Sequence, residues 1–469
     1  MVAIIKADPY RRYKALKIIC QTSLIAKCVV ERRDTNDTYV MVIAPTKDKY
    51  GNANHVKHHV SKLLEIDHPG IVRVFEAYEF EGYCYSIMND WTVFKQESYG
   101  VTSLTEEQVV MSIHKMTTSL LYLQDMDIIL GNLTFDEMRF SRYFEDDDND
   151  YLDILIVDLG ICRHVDPKRY LELHQDLRCG KPPEAREGIY TKYSDIWTLG
   201  STAYHLLTGD LSTDHLTERV DFNLEESLRL VSVEAKDFCL SCLKIQPEER
   251  ISIREAMAHP WFKKVKTNLR SDTEMSSSAK RVLSDISKRE SGNRKGHNFL
   301  LRACRIVAKH IDDDEIEKYK AIFDAIDVDN TGVITHDEFT NALRSRFKLP
   351  NDILVRFLEV DSDQTGKISF SEFLTCILCA SGTNDNSIHE SILIKAFHTM
   401  DPSGTGFIDV IDICDLWSDI SVEESREMLY DVIGHREMAD PTLSLHQFLD
   451  AFQCHKGRRR TSWLNRFMN

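Results

Sequence analysis

The sequence predicts an α+β domain followed by an all-α domain, and three observations carry that expectation. Short β-like runs (Tyr39 to Ile43, Ile71 to Tyr78, Tyr83 to Met88) surround one helical stretch, Val56 to Ile66, over roughly residues 13–90. Helical patterns then dominate from about residue 104 to 262. After a segment rich in Ser, Lys and Arg, Thr267 to Asn298, helix–loop–helix units continue to about residue 452.

The chain has 469 residues, too many for one hydrophobic core, so about two or three domains are the default. Hydrophobic residues make up 42% and charged residues 28%, the balance of a soluble globular protein, and a cytoplasmic location is expected. No apolar run reaches the roughly 18 residues that a transmembrane helix needs. The first ten residues, MVAIIKADPY, do not read as a secretory signal. Val2 stands where N-myristoylation requires glycine, so that anchor is not expected. The net charge of −17 argues against a nucleic-acid-binding body. Acid crowds Asp312 to Glu317, three short loops of the last third and Glu145 to Asp150; base gathers between Lys263 and Lys309 and in the tail KGRRR. The uneven distribution suits cation sites in the C-terminal third. Of the 12 cysteines, Cys239 with Cys242 and Cys376 with Cys379 form CxxC pairs, both in helical patterns. Zinc sites favour turns and a second close pair, so reduced structural thiols are the reading preferred over zinc.

The sharpest chemistry lies in Asp327 to Glu338, DVDNTGVITHDE. Calcium takes about six or seven oxygens, and the twelve-residue EF-hand loop supplies them from positions 1, 3, 5, 7, 9 and 12 around a glycine at 6. Those positions hold Asp327, Asp329, Thr331, the Val333 carbonyl, Thr335 and Glu338, with Gly332 at the turn and Ile334 placed to pair with the neighbouring loop. The second loop, DSDQTGKISFSE, repeats the pattern with Asp361, Asp363, Thr365, the Lys367 carbonyl, Ser369 and Glu372 around Gly366. A third, DPSGTGFIDVID, offers Asp401, Ser403, Thr405, the Phe407 carbonyl, Asp409 and Asp412, one methylene short of glutamate at position 12. That shortening favours weak calcium binding or magnesium. A fourth frame, Arg436 to Gln447, lacks the glycine and reads as a metal-free helix pair completing the third. The expected cofactor is Ca2+, at two sites with a third possible.

Residues 13–262 resemble a eukaryotic protein kinase domain of the calcium-dependent or calmodulin-dependent type, on landmarks in order. HPGIVRVFEAYE resembles the stretch after the N-lobe helix, and DLG at Asp158 to Gly160 the DFG motif. PPE at Pro182 to Glu184 resembles APE, SDIWTLG the motif around Asp195 and Trp197, and ERISIREAMAHPWF the closing helices. With EF-hands behind a linker and an amphipathic helix, the whole chain resembles the calcium-dependent protein kinase family of plants and apicomplexans. The resemblance implies a bilobal α+β kinase-like domain at 13–262 after a tail at 1–12, a basic linker and junction helix at 263–311, an all-α EF-hand (calmodulin-like) domain of four units at 312–452, and a basic tail at 453–469.

Set against that family, the catalytic positions are altered. Ile18 to Lys27 contains no glycine, and Ile19, Gln21 and Leu24 fall at the three glycine places of the phosphate-covering loop. The phosphate-holding lysine falls on Val42 and its glutamate partner on His59. LGNLTFDEM stands for HRDLKPENL, so the base aspartate is Asn132, the loop lysine Thr134 and the second magnesium ligand Glu137. Asparagine takes no proton from a substrate hydroxyl, a step worth roughly 10²–10⁴-fold. Loss of the cation at Val42 removes a stabilising interaction of about 3 kcal/mol or more. Asp158 is retained and could hold magnesium with Glu137, so a Mg-ATP site is doubtful but open. A relocated lysine such as Lys27 could restore the charge, but on the second strand it is expected to point away from the cleft. Glu184 and Arg250 are expected to form a buried ion pair, and Asp195 to hold the catalytic-loop backbone.

The resemblance also implies a mechanism. The junction helix, 299–311, with Phe299, Leu300, Ala303, Ile306, Val307 and His310 on one face, would block or brace the kinase-like lobe until calcium makes the EF-hand domain move it. The expected function is a calcium-regulated pseudokinase whose output is a changed protein-binding surface, with residual calcium-activated kinase activity as the alternative and a plain calcium sensor with an inert spacer as a third reading. His58 and His59 are expected to be exposed, Glu145 to Asp150 to be a solvated loop, and Trp463, Leu464 and Phe467 to lie on one face of the tail.

Overall fold

The computed structural model describes residues 4–48, 50–51, 53–92, 104–131, 133, 138–143, 151–161, 182–209, 228, 230–263, 297–311, 319–320, 322–328, 331–344, 361, 365–380, 390–417, 420–434 and 440–452. They fall in two units, residues 4–273 and residues 274–469, which are described separately.

The first unit opens with strands β1 (Tyr13–Gln21), β2 (Ala26–Arg32) and β3 (Thr38–Pro45), then helix α1 (Ala53–Leu63) and strands β4 (Val74–Phe80) and β5 (Tyr83–Asn89). The five strands make one antiparallel sheet in the order β1-β2-β3-β5-β4. β3 lies inside the sheet, and the run Tyr39–Val42 is buried throughout, so it shows no period-two alternation. Tyr13, Tyr39, Tyr78 and Phe75 meet edge to face beside a buried pair, Arg32 with Glu76 at 3.5 Å. Charge is tolerated there because each group faces its opposite.

The rest of this unit is mainly helical: α2 (Glu106–Asp125), α3 (Lys192–Thr208), α4 (Val233–Cys242) and the single turn α5 (Ile253–Met257). Thr105 with Gln108 caps α2 by a reciprocal box, and Thr191 with Ser194 does the same for α3. Every residue of α3 from Ser194 to Leu206 is buried, the mark of a helix surrounded by others. A Cβ at Gly200 would lie 2.5 Å from the Cβ of Cys242, so the close approach of α3 and α4 requires glycine. Cys239 and Cys242 are buried thiols; burial pushes Cys239 up to about 12 and Cys242 well above its ordinary value, which keeps both protonated.

Where a helical pattern was expected, a hairpin intervenes: β6 (Met138–Tyr143) and β7 (Tyr151–Ile156) pair antiparallel, Met138 opposite Ile156 and Tyr143 opposite Tyr151. β7 also joins Ile71 through a parallel bridge, with Val72 N–H donating to Ile156 O at 2.8 Å. The bounds of two sequence-predicted elements also shift. The helix expected from Val56 to Ile66 runs Ala53–Leu63, and the strand expected from Ile71 runs Val74–Phe80.

The second unit begins with α6 (His297–Lys309). It continues with β8 (Val333–Thr335), α7 (His336–Arg344), β9 (Lys367–Ser369), α8 (Phe370–Ala380), α9 (Glu390–Met400), β10 (Phe407–Ile408), α10 (Val410–Leu416), α11 (Val422–Ile433), β11 (Leu443–Ser444) and α12 (Leu445–Phe452). The two-residue and three-residue strands pair in twos: Ile334 opposite Ile368, and Ile408 opposite Leu443. Each pair joins two loops, so one loop's geometry is set against its neighbour's. Helix α6 buries Phe299, Ala303, Ile306 and Val307 in the core formed by α9 to α12, and packs on α8 as well.

Candidate functional site

The second unit carries three loops with the same internal wiring. Asp327 at position 1 accepts from Thr331 N–H at 2.9 Å and Gly332 N–H at 2.7 Å. Asp361 does so from Thr365 (3.0 Å) and Gly366 (2.9 Å), and Asp401 from Thr405 (3.1 Å) and Gly406 (2.7 Å). All three carboxylates are almost fully buried. The glycines sit at φ +79°, +79° and +82°, a left-handed conformation that a side chain would strain. The hydroxyls of Thr331, Thr365 and Thr405 each donate to the carbonyl of the loop's seventh residue, Val333, Lys367 and Phe407. Asp329 and Asp363, at position 3, lie outside the described residues.

At position 12 the loops differ. Glu338 accepts from Thr335 N–H (2.9 Å) and hydroxyl (2.7 Å); Glu372 accepts from Ser369 N–H (3.0 Å) and hydroxyl (3.1 Å) through one oxygen. The other oxygen of Glu372 accepts from Arg305 Nη2 of α6 at 2.8 Å. In the third loop Asp412 accepts from the Asp409 N–H at 3.0 Å and meets the Ser403 side chain, while Asp409 caps α10 through the N–H groups of Ile411 and Asp412. Burial, with the charges of Asp409 and Asp401 near it, pushes the Asp412 carboxyl up to about 6. These donor sets are oxygen throughout, which fits a hard cation such as calcium. In the fourth unit Gln447 accepts from Ser444 N–H and hydroxyl as Glu338 does from Thr335, so a neutral amide reproduces the scaffold; Arg436 lies outside the described residues.

Helix α6 is pinned to this unit by more than its apolar face. Phe299 meets Trp417 edge to face, and the Arg302 guanidinium lies 5.6 Å from the centre of the same ring. His310 Nε2 is 2.8 Å from the Thr399 hydroxyl. The side chain of Leu300, expected on the same face, lies outside the described residues, as does the segment 264–296 before the helix.

In the kinase-like unit Asp158 meets Lys27 of β2, and the Leu159 carbonyl meets His59 of α1. Gly160 N–H donates to Asp158 Oδ1 at 2.7 Å. The Lys27 ammonium forms an ion pair with Asp158 Oδ2, both groups largely buried. This corrects the expectation that Lys27 points away. Lys27 lies directly opposite Val42 in the β2–β3 register, and residues paired across antiparallel strands project from the same face of a sheet. Val42, read from the sequence against the family's lysine, thus has a lysine from the adjacent strand beside it.

His59 also departs from its expectation. It is 5% exposed, and its Nε2 lies 2.7 Å from the Leu159 carbonyl. A carbonyl only accepts, so Nε2 carries the proton. His58 is exposed as expected. The β1–β2 turn closes without glycine because the Thr22 hydroxyl accepts from Leu24 and Ile25 N–H, both at 3.1 Å. Asn132, Thr134 and Glu137 lie outside the described residues, as do the run Glu145 to Asp150 and the tail from 453.

The architectural groups hold a connected scaffold. Arg250 donates to both oxygens of Glu184 at 2.7 Å and to the carbonyls of Tyr193 and Lys244 at 2.8 Å. Asp195, buried at the start of α3, accepts from Leu130 N–H at 3.1 Å and from Gly131 N–H.

Among the described residues no helix is long and apolar enough to cross a membrane. A family model described as "Protein kinase domain" matches residues 21–262, just over half of the chain, and one described as "EF-hand domain pair" matches residues 316–378. The latter supports calcium binding. Calcium-dependent protein kinase 3 of Plasmodium yoelii yoelii is 26% identical over 394 residues, covering 78% of this chain and 68% of that protein. Calcium-dependent protein kinase 5 of Plasmodium falciparum is 25% identical over 406 residues, covering 82% and 68%. Calcium-dependent protein kinase 33 of Arabidopsis thaliana is 29% identical over 275 residues, covering 53% and 50%. The chain thus spans about two thirds of the length of these Plasmodium relatives and half that of the Arabidopsis one. A kinase fold with its ion-pair scaffold, joined in one chain to paired EF-hand loops, makes this protein a member of the calcium-dependent protein kinase family.

Proposed function

We propose that this chain is a calcium-switched binding module in which the kinase-like unit has ceased to transfer phosphate. The observation that carries the calcium half is the contact between α6 and Glu372. Bidentate coordination takes both oxygens of the position-12 glutamate. Calcium in the second loop therefore competes with Arg305 for the same carboxylate. Filling Asp327, Asp329, Thr331, Val333, Thr335 and Glu338 in the first loop and Asp361, Asp363, Thr365, Lys367, Ser369 and Glu372 in the second loosens α6 and changes the surface offered to a protein partner. The third loop, with Asp401, Ser403, Thr405, Phe407, Asp409 and Asp412, binds calcium weakly or takes magnesium.

The catalytic half rests on what stands at the reacting positions. Asn132 has no basicity to accept a substrate proton, Thr134 and Val42 carry no charge, and His59 is engaged with the Leu159 carbonyl rather than with a lysine. A scaffold kept by Glu184–Arg250 and Asp195 around such positions serves binding rather than catalysis. A second reading, a slow kinase activated by calcium, is favoured by one observation, the Lys27 cation at Asp158.

The deciding experiment measures radiolabelled phosphate transfer from MgATP to the protein itself and to a basic peptide, with and without calcium, beside an Asp158→Ala control. The expected result is no transfer, together with calcium-dependent hydrogen exchange at residues 299–311. Transfer that needs both calcium and Asp158 would make this an active kinase. Unchanged exchange at 299–311 would remove the switch.

A further inference from the structure

Beside Asp158 stands a cation that the altered catalytic motifs do not account for. Lys27 enters from β2 opposite Val42, and its ammonium meets Asp158. The lysine is 17% exposed and the aspartate 10%, so neither is a solvated surface charge. A lysine stem is long enough to cross the gap between adjacent strands, about 4.8 Å. On its other side the aspartate is oriented by the Gly160 N–H, and the next carbonyl is held by His59.

We propose that Lys27 is the phosphate-binding cation of a nucleoside di- or triphosphate site in the kinase-like unit. Without ligand, Lys27 and Asp158 neutralise each other. A magnesium-bound polyphosphate would exchange that pair for two: Asp158 would hold the metal and Lys27 the phosphate oxygens. Lys27 and Asp158 would each keep an oppositely charged partner in both states. The exchange explains why a lysine is buried against Asp158 in a chain whose third strand has lost its own. The site binds nucleotide as a ligand and does not require Asn132 to act as a base. It therefore goes beyond the binding-module reading and does not depend on it.

The test is equilibrium binding of MgADP and of a non-hydrolysable ATP analogue to the full chain by calorimetry, for wild type, Lys27→Met and a Lys14→Met control on the exposed edge strand β1. Wild type and Lys14→Met are expected to bind equally, Lys27→Met at least tenfold more weakly, and Lys27→Met/Val42→Lys to recover binding. A wild type that binds no nucleotide at millimolar concentration, or a Lys27→Met variant that binds as tightly, overturns the proposal. Should Lys27→Met fail to fold, the wild-type protein still decides it. MgADP is expected to protect Lys27, but not Lys14, from amine acylation mapped by mass spectrometry, and equal labelling with and without MgADP overturns the assignment. Phosphate transfer, if found, would refute the binding-module reading and leave this one standing.

Discussion

At the scale of single residues, the kinase-like unit keeps its strongest electrostatic commitment where no chemistry is proposed. Arg250 is enclosed, and its guanidinium meets Glu184 with two bonds of 2.7 Å. Breaking such a pair from one side strands a buried charge. Glu184→Gln is expected to lower stability by about 3 kcal/mol, and the melting temperature of the calcium-free chain should fall by roughly 6–10 °C. Burial alone would raise the Glu184 carboxyl, but the hydrogen bonds from Arg250 and Ser194 outweigh it and hold the group below the usual range. A depressed acid stabilises the fold above its unfolded value, about 4.3, and the contribution is lost as pH falls through the folded value. Acid titration followed by circular dichroism should therefore show wild type losing stability below about pH 4, with Glu184→Gln flatter there. A second residue-scale expectation concerns Asp412, one methylene shorter than the glutamates at position 12 of the other two loops. Asp412→Glu restores the missing methylene and is expected to tighten calcium at the third loop by about tenfold or more; calorimetry showing no change would place the defect elsewhere in that loop.

At the scale of elements, the loops were legible and the cleft was only partly so. Twelve-residue spacing fixes which side chains converge, because the turn glycine and the position-1 carboxylate define a local structure that needs no distant partner. The orientation of Lys27 is not local. It depends on the pairing of β2 with β3, and β1 adds two register shifts of its own against β2. Alternation read along one strand cannot say which face is the cleft until a partner residue is named. The burial of His59 was missed for a related reason: its helix was recognised, but the carbonyl that receives it lies 100 residues away. The β6–β7 hairpin left only a weak signal, since MRFSRY alternates over its first four residues while YLDILI is apolar at every position but Asp153. Helix α6 was legible as amphipathic, and its burial makes a quantitative test. Phe299 is 1% exposed and packs on Trp417, so Phe299→Ala should destabilise the second unit by about 3–5 kcal/mol through the cavity it leaves. Thermal unfolding of the calcium-free chain checks this, and a loss under 1 kcal/mol would mean α6 is not part of that core.

At the scale of the whole molecule, Arg305 joins the two levels, because it belongs to the helix and touches the carboxylate that calcium needs. Its guanidinium is one-third exposed, while Glu372 is 2% exposed. The asymmetry matters: removing Arg305 returns little to solvent but leaves a buried carboxylate with one oxygen relieved of its cation. Two ligands competing for one group are coupled reciprocally, so whatever calcium does to α6, α6 does to calcium. Couplings of this kind amount to about 1–3 kcal/mol, or roughly 5- to 150-fold in affinity. Arg305→Gln is therefore expected to raise calcium affinity at the second loop by at least about fivefold and to leave the first loop less affected. In the same variant, hydrogen exchange at residues 299–311 without calcium should move toward the level that wild type reaches only with calcium. Calcium titration by calorimetry on the full chain separates the outcomes. Tighter binding with faster exchange identifies Arg305 as the link between loop and helix. Unchanged affinity with unchanged exchange would mean that α6 is held by its apolar face alone, and that calcium acts on it by reshaping the groove around Phe299 and Trp417.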